Sequence, residues 1–190
     1  MKAHFQDIQI DDELKKANII HLVEISLTPN DEKDVFNLEG YQTSLIESGN
    51  GKGMATFYEE DKFKPATKVN MDMFQIIKFK HEKLDIINLY RSQLGNSQEI
   101  LDHLKNLTDD GKTTMITGDF NSCFIENFNS RLIQGLLILG FDQLVHEPTH
   151  IKGRHIDHVY FQDPTERLRP RVARYSPYYS DHDEIVAEVK

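Results

Sequence analysis

Thr113-Thr114-Met115-Ile116-Thr117-Gly118-Asp119-Phe120-Asn121 is a β-branched and apolar run that stops at a glycine and then offers a carboxylate and an amide. Such a composition suits a buried strand, so 113–117 is expected as a strand and 118–121 as the turn leaving it. Functional side chains sit well there, because a loop at a strand end is held by a rigid scaffold. Asp and Asn are also ordinary turn formers, so this stretch gains weight only with company.

Working outward, 84–90 and 74–79 alternate or cluster apolar residues and are predicted as a strand pair joined across Lys80-His81-Glu82-Lys83. Strands are also expected at 18–23, 41–46, 54–58, 156–161, 167–174 and 184–189. The stretch around Pro65 reads as a polar connection, as do Thr28-Pro29-Asn30 and Gly49-Asn50-Gly51-Lys52-Gly53. Helical spacing appears at 5–16, at 98–107 before an Asp109-Asp110-Gly111 turn, and at 129–139, capped by Gly140. Strands outnumber helices and enclose them in sequence. The expected fold is a single α/β domain over 1–190: a four-layer α/β sandwich of two packed, mainly antiparallel β-sheets flanked by helices.

Composition sets the outer bounds. With 38% hydrophobic and 28% charged residues the 190-residue chain is too apolar for disorder. No apolar stretch reaches the roughly 18–20 residues of a membrane span, and the start lacks a signal-peptide core. The single cysteine, Cys123, excludes an internal disulfide and a cysteine-rich zinc knuckle and is expected as small buried filler. An intracellular protein, nuclear or cytoplasmic, is the expectation. The formal net charge of −9 is unfavourable for binding a polyanion, but residues 1–62 hold 13 acids and 6 bases, whereas 63–190 hold 18 acids and 16 bases.

Chemistry-bearing residues recur at strand ends: Glu24, then Asp119 with Asn121, Asp157 with His158, and the run Ser180-Asp181-His182-Asp183. Hydrolysis of a phosphoester needs a base, a cation and groups to hold the non-bridging oxygens, and this inventory contains all three kinds. Gly118-Asp119-Phe120-Asn121, then Pro148-Thr149-His150 followed by His155-Ile156-Asp157-His158-Val159, and finally Ser180-Asp181-His182 resemble the ordered signature of the endonuclease/exonuclease/phosphatase superfamily. Together with Asn88-Leu89-Tyr90-Arg91-Ser92 they are most similar to the apurinic-type endonuclease domains of non-LTR retrotransposons and Helitron-like elements.

That resemblance implies roles by motif position. Glu24 would bind Mg²⁺, with Mn²⁺ as a substitute; here Val23-Glu24-Ile25 stands where the family usually has Gln-Glu-Thr or Gln-Glu-Ser. Asp119 would act as base or orient water, and Asn121 and Tyr90 would hold the phosphate. Asp157 would polarise the final histidine or orient the site, Asp181 would sit near the metal and orient His182, and His182 would stabilise the transition state. Arg91, Asn121, Arg154 and Arg171 are candidate DNA contacts; the spaced Arg167, Arg169, Arg171 and Arg174 equally suit a charged strand edge. His158 should point away from Asp157 along a strand. The other histidines, His150 and His155 among them, show no metal-ligand pairing and are assigned to the surface or to local hydrogen bonds. The family also opens with a strand ending in asparagine that this sequence lacks, so a larger polyprotein or a partner would supply it. The implied activity is a Mg²⁺-dependent DNA endonuclease of mobile-element type. The rivals are an inactive DNA-binding or regulatory remnant and a phosphatase for a small or lipid phosphoester.

Overall fold

The computed structural model describes residues 5–26, 36–47, 52–108 and 111–190. Two parallel layers of strands lie between helices. One is a six-stranded sheet in the order β4-β5-β6-β7-β9-β8, from β4 (Lys64–Met71), β5 (Phe74–Lys80), β6 (Asp85–Arg91), β7 (Thr114–Asp119), β9 (Asp157–Gln162) and β8 (Asp142–Gln143). All neighbours are antiparallel except β6 and β7, which run parallel with α2 (Ser97–Leu107) in the connection between them. The facing layer comes in two pieces: β1 (Ile19–Leu22), β3 (Met54–Tyr58) and β2 (Gln42–Ile46) in that order, and the antiparallel pair β10 (Pro170–Tyr175) and β11 (Glu184–Val189).

Strand alternation explains the layering. Along β6, Ile86 and Tyr90 join a core with Met54, Tyr58, Phe79, Met115, Val159 and Phe161 between the strand layers, and Ile19, Val172 and Ile185 pack on it from both pieces of the facing layer. Ile87 and Leu89 point the other way, into a second core under α2 and α3 (Arg131–Ile138) with Ile100, Leu104, Leu132 and Leu136. A third core places Phe5 and Ile8 of α1 (Phe5–Ile10) on Ile20, Ala55 and Phe57. Helix, strands, sheet, helices: the four expected layers are present.

Local chemistry sets the element ends. Asn96 caps α2 by accepting from the Gln98 and Glu99 amides, Ser130 caps α3 by accepting from the Ile133 amide, and Gly140 follows α3 at φ +85°. The first helix is shorter than the 5–16 pattern: Asp11 Oδ1 accepts from the Glu13 and Leu14 amides, so the chain restarts as a 3₁₀ turn at Leu14–Lys16. The polar stretch around Pro65 is a strand, contrary to expectation. β4 is an exposed edge with charge or amide on both faces, so it carries no apolar alternation, and its register shifts between Pro65 and Thr67, where proline's missing donor is tolerated. Cys123 is buried and free, as expected. Among the described residues no helix is long and apolar enough to cross a membrane. The expected loop at 28–30, residues 49–51, the start of the 109–111 turn and His4 lie outside the described residues.

Candidate active site

Two registers bring the motifs together. Tyr90 pairs with Asp119 across β6 and β7, and Asp119 pairs with Asp157 across β7 and β9. The three side chains therefore stand abreast, on the face of the sheet that looks toward the other strand layer. One residue deeper, Gly118 adopts φ +138° with an ideal Cβ position only 1.8 Å from the Leu89 carbonyl oxygen, so only glycine lets the two strands close here.

Asp119 is almost fully buried. Its Oδ1 accepts from the Asn121 amide at 2.8 Å and its Oδ2 from Asn121 Nδ2 at 2.9 Å, an arrangement that Asn121 reaches with φ +45°. Burial, with the neighbouring Asp157 charge adding to it, pushes the Asp119 carboxyl up to about 7. Asn121 Nδ2 also donates to the Arg91 carbonyl at 2.9 Å.

His182 comes from the loop after β10 and is fastened to the sheet. Its Nδ1 lies 3.1 and 3.0 Å from the two Asp157 oxygens, and Thr149 Oγ1 donates to Asp157 Oδ2 at 2.6 Å. Backbone bonds Ile151 N to Asp181 O, 3.0 Å, and Asp183 N to Thr149 O, 2.7 Å, hold this loop against 149–151. The hydrogen bond to Asp157 holds His182 up to about 9, so the ring is a cation at neutral pH. Asp157 is thus the residue that orients His182. The Asp181 carboxylate is mostly exposed and lies 3.3 Å from His150 Nε2.

Glu24 follows β1 in a left-handed conformation, φ +51°, with Ile25 beside it fully buried and its amide donating to the Gly53 carbonyl. That twist sends the carboxylate to Tyr90, whose hydroxyl donates to Glu24 Oε1 at 2.5 Å, while Lys52 Nζ donates to the same oxygen at 3.0 Å and lies 3.3 Å from the Tyr90 oxygen. Burial works to raise the Glu24 carboxyl, but the Tyr90 and Lys52 bonds outweigh it and hold it below the usual range. Burial and the Glu24 carboxylate push the Tyr90 hydroxyl well up, so it remains a donor.

Beneath the row a polar seam crosses the core. Thr117 Oγ1 donates to Asn88 Oδ1 at 3.0 Å, Asn88 Nδ2 reaches Thr56 Oγ1 at 3.5 Å, and His21 Nδ1 lies 3.1 Å from the same hydroxyl. These hydroxyl and amide groups satisfy one another, whereas the buried His21 Nε2 has no hydrogen-bond partner.

The arginines divide differently from expectation. Arg91 is half-buried and directs Nε and Nη2 at the Gly95 carbonyl and Nη1 at the Phe120 carbonyl, so it braces two rim loops. Arg174 binds Asp183 at 2.9 Å and Glu147 at 2.7 Å, and also donates to the Pro148 carbonyl. Arg171 is exposed on β10 opposite Glu188, and Arg154 is partly exposed in the turn before β9. His158 points away from the site, as expected, stacked on Phe120 at 4.6 Å. His155 is buried with its Nε2 hydrogen-bonded to Gln143, as a locally bonded histidine, whereas His150, expected to have no metal-ligand pairing, stands beside Asp181 and His182. Lys52 and Thr149 are the participants that sequence motifs did not assign.

Asp119, Asp157 and His182 each offer a ligand atom within 4.8 Å of the others, and the two carboxylates are hard donors suited to a divalent cation, with Glu24 joined through Tyr90. No protein-family model and no curated protein matches the sequence. Solved structures do. The endonuclease domain of TRAS1, a telomere-specific non-LTR retrotransposon, superimposes with a TM-score of 0.68 at 15% identity, over 98% of this chain and 92% of that one. An AP endonuclease from Archaeoglobus fulgidus gives 0.67 at 18% identity over 93% and 90%. The 3′ phosphatase NExo from Neisseria, solved with a product DNA hairpin, gives 0.70 at 15% identity over 99% and 95%. The chain has the endonuclease/exonuclease/phosphatase fold. Within that fold the sheet ends carry the motifs that the sequence singled out, and the Asp119–Asp157–His182 constellation lies among them.

Proposed function

We propose that this chain is a divalent-metal-dependent phosphodiesterase that nicks DNA. The observation that carries the reading is the row Tyr90–Asp119–Asp157 with His182 fixed on Asp157: a buried carboxyl near neutrality beside an imidazolium. Asp119 would take a proton from the attacking water, and the His182 cation, with the Tyr90 hydroxyl, would stabilise charge growing on the equatorial oxygens. Asn121 holds Asp119 in place; to touch phosphate it would give up one of its two present Nδ2 bonds. Mg²⁺, or Mn²⁺ in its place, would be held by Glu24 and the Asp119–Asp157 carboxylates and would supply Lewis-acid charge neutralisation. The Lys52 ammonium on Glu24 supports this: the site already draws a cation.

DNA as substrate and mobile-element nicking rest on the likeness to TRAS1 and to the AP endonuclease. A phosphatase is the second reading, favoured by the −9 charge and by Arg91 and Arg174 being engaged within the chain. The deciding experiment offers supercoiled plasmid, a 3′-phosphorylated oligonucleotide and a small phosphomonoester to the purified chain with Mg²⁺. Nicked circle without monoester turnover is expected. Phosphate release with intact plasmid would favour the phosphatase, and binding without either would favour the inactive remnant.

A further inference from the structure

His150, Asp181 and His182 form a second cluster on the outer side of the same histidine. The His150–His182 bridge aligns two backbone segments, and the bonds Ile151 N to Asp181 O and Asp183 N to Thr149 O fix them. The rings meet edge to face with centroids 4.8 Å apart, and one donor atom from each of the three residues falls within 4.8 Å of the others. His150 Nε2 and Asp181 Oδ2 are 3.3 Å apart, close to the roughly 3.3–3.4 Å that separates two ligands about 2.0–2.1 Å from a tetrahedral zinc. His182 Nδ1 is held by Asp157, the outer carboxylate that orients a metal-binding imidazole, and Nε2 is left for an ion. Two imidazoles and one carboxylate select borderline ions such as Zn²⁺ over Mg²⁺, which prefers oxygen.

We propose that His150, Asp181 and His182 bind Zn²⁺ at a site separate from the Mg²⁺ position, and that the ion inhibits the enzyme by taking His182 Nε2 away from the phosphate. The inhibition rests on the phosphodiesterase reading; the binding does not. Zinc ligation releases the His182 Nε2 proton to solvent, leaving a neutral ring whose Nδ1–H stays on Asp157, and displaces the His150 Nε2 proton to solvent or to Nδ1, where the Lys152 amide now donates at 3.1 Å. That exchange sets a threshold which Mg²⁺ does not pass. Asp181, the most exposed of the three, leaves the site open to solvent with a fourth position for water.

The test titrates the folded chain with Zn²⁺ in excess Mg²⁺ by calorimetry, and in parallel measures Mg²⁺-supported plasmid nicking at rising Zn²⁺. One Zn²⁺ per chain is expected. His150→Ala should weaken binding by more than the roughly 10- to 100-fold typical of losing an outer-sphere partner. The same variant should nick at the wild-type rate and resist zinc. Asp181→Asn, read by binding alone, gives an independent check. Absence of binding, or binding unchanged in His150→Ala because the ion sits at Asp119–Asp157–His182, would overturn the site. Binding that depends on His150 in a chain that cuts no DNA would uphold the site and reject the endonuclease.

Discussion

At the residue scale, the acid–base pair gives a sharp expectation. The base must be deprotonated and the imidazolium protonated, so kcat/KM should rise as pH passes about 7, where Asp119 ionises, and fall as pH passes about 9, where His182 loses its proton. Asp157→Asn removes the bond that holds the His182 proton, and its alkaline limb should move toward the ordinary histidine range in a pH–rate profile. A profile with an unmoved alkaline limb would take His182 out of the mechanism. Lys52→Met removes an ammonium that competes for Glu24, so the Mg²⁺ concentration at half-maximal rate should fall severalfold; a rise would mean that Lys52 serves the substrate instead. Asp119, Asn121, Tyr90 and His182 were legible in the sequence because each lies in a short motif at or near a strand end. Lys52 and Thr149 were not. Their contacts join segments that sequence spacing does not connect, 28 residues apart for Lys52 and Glu24 and 8 apart for Thr149 and Asp157.

At the element scale, the close approach of β6 and β7 is the feature that lines up Tyr90, Asp119 and Asp157. Gly118→Ala puts a methyl into the Leu89 carbonyl at a backbone angle that alanine avoids, and should cost at least about 3 kcal/mol, read by chemical denaturation. Arg91→Ala should leave stability nearly intact while loosening the Gly95 and Phe120 loops, lowering kcat without changing the pH profile. Buried strands such as β5 and β6 were readable because four of the seven residues in each are Ile, Leu, Phe or Tyr. β4 was not, since this exposed edge strand carries no apolar alternation, with Lys68 and Asn70 donating to the Leu45 and Glu47 carbonyls. Helix α1 was overread for a related reason: the helical spacing of Phe5, Ile8 and Leu14 continues past Asp11, whose side chain captures the amides a helix would use.

At the scale of the whole molecule, buried histidines and the charge balance govern behaviour. Burial holds His21 and His158 down to about 3, so the unfolded chain binds protons that the folded chain refuses between roughly pH 6.5 and 3. Each should remove about 1.4 kcal/mol of stability per pH unit in that window. Asp119, raised by burial, opposes one of them as pH falls from about 7 toward the ordinary carboxylate value. His158→Phe, which keeps the stack on Phe120, should therefore flatten the acid limb of a stability–pH curve; an unchanged limb would mean that His158 is solvated. The excess of acids in residues 1–62 leaves residues 63–190, which bear most of the site, nearly balanced, so DNA binding should weaken only modestly with salt. The central claim is that Asp119 and His182 work together in cutting a phosphodiester. The most direct measurement follows conversion of supercoiled plasmid to nicked circle with Mg²⁺ by the wild-type chain, Asp119→Asn and His182→Gln, each shown to be folded by thermal melting. Metal-dependent nicking by the wild type, reduced roughly 10²–10⁴-fold in both variants, is the expected result; nicking that either folded variant retains at the wild-type rate would contradict it.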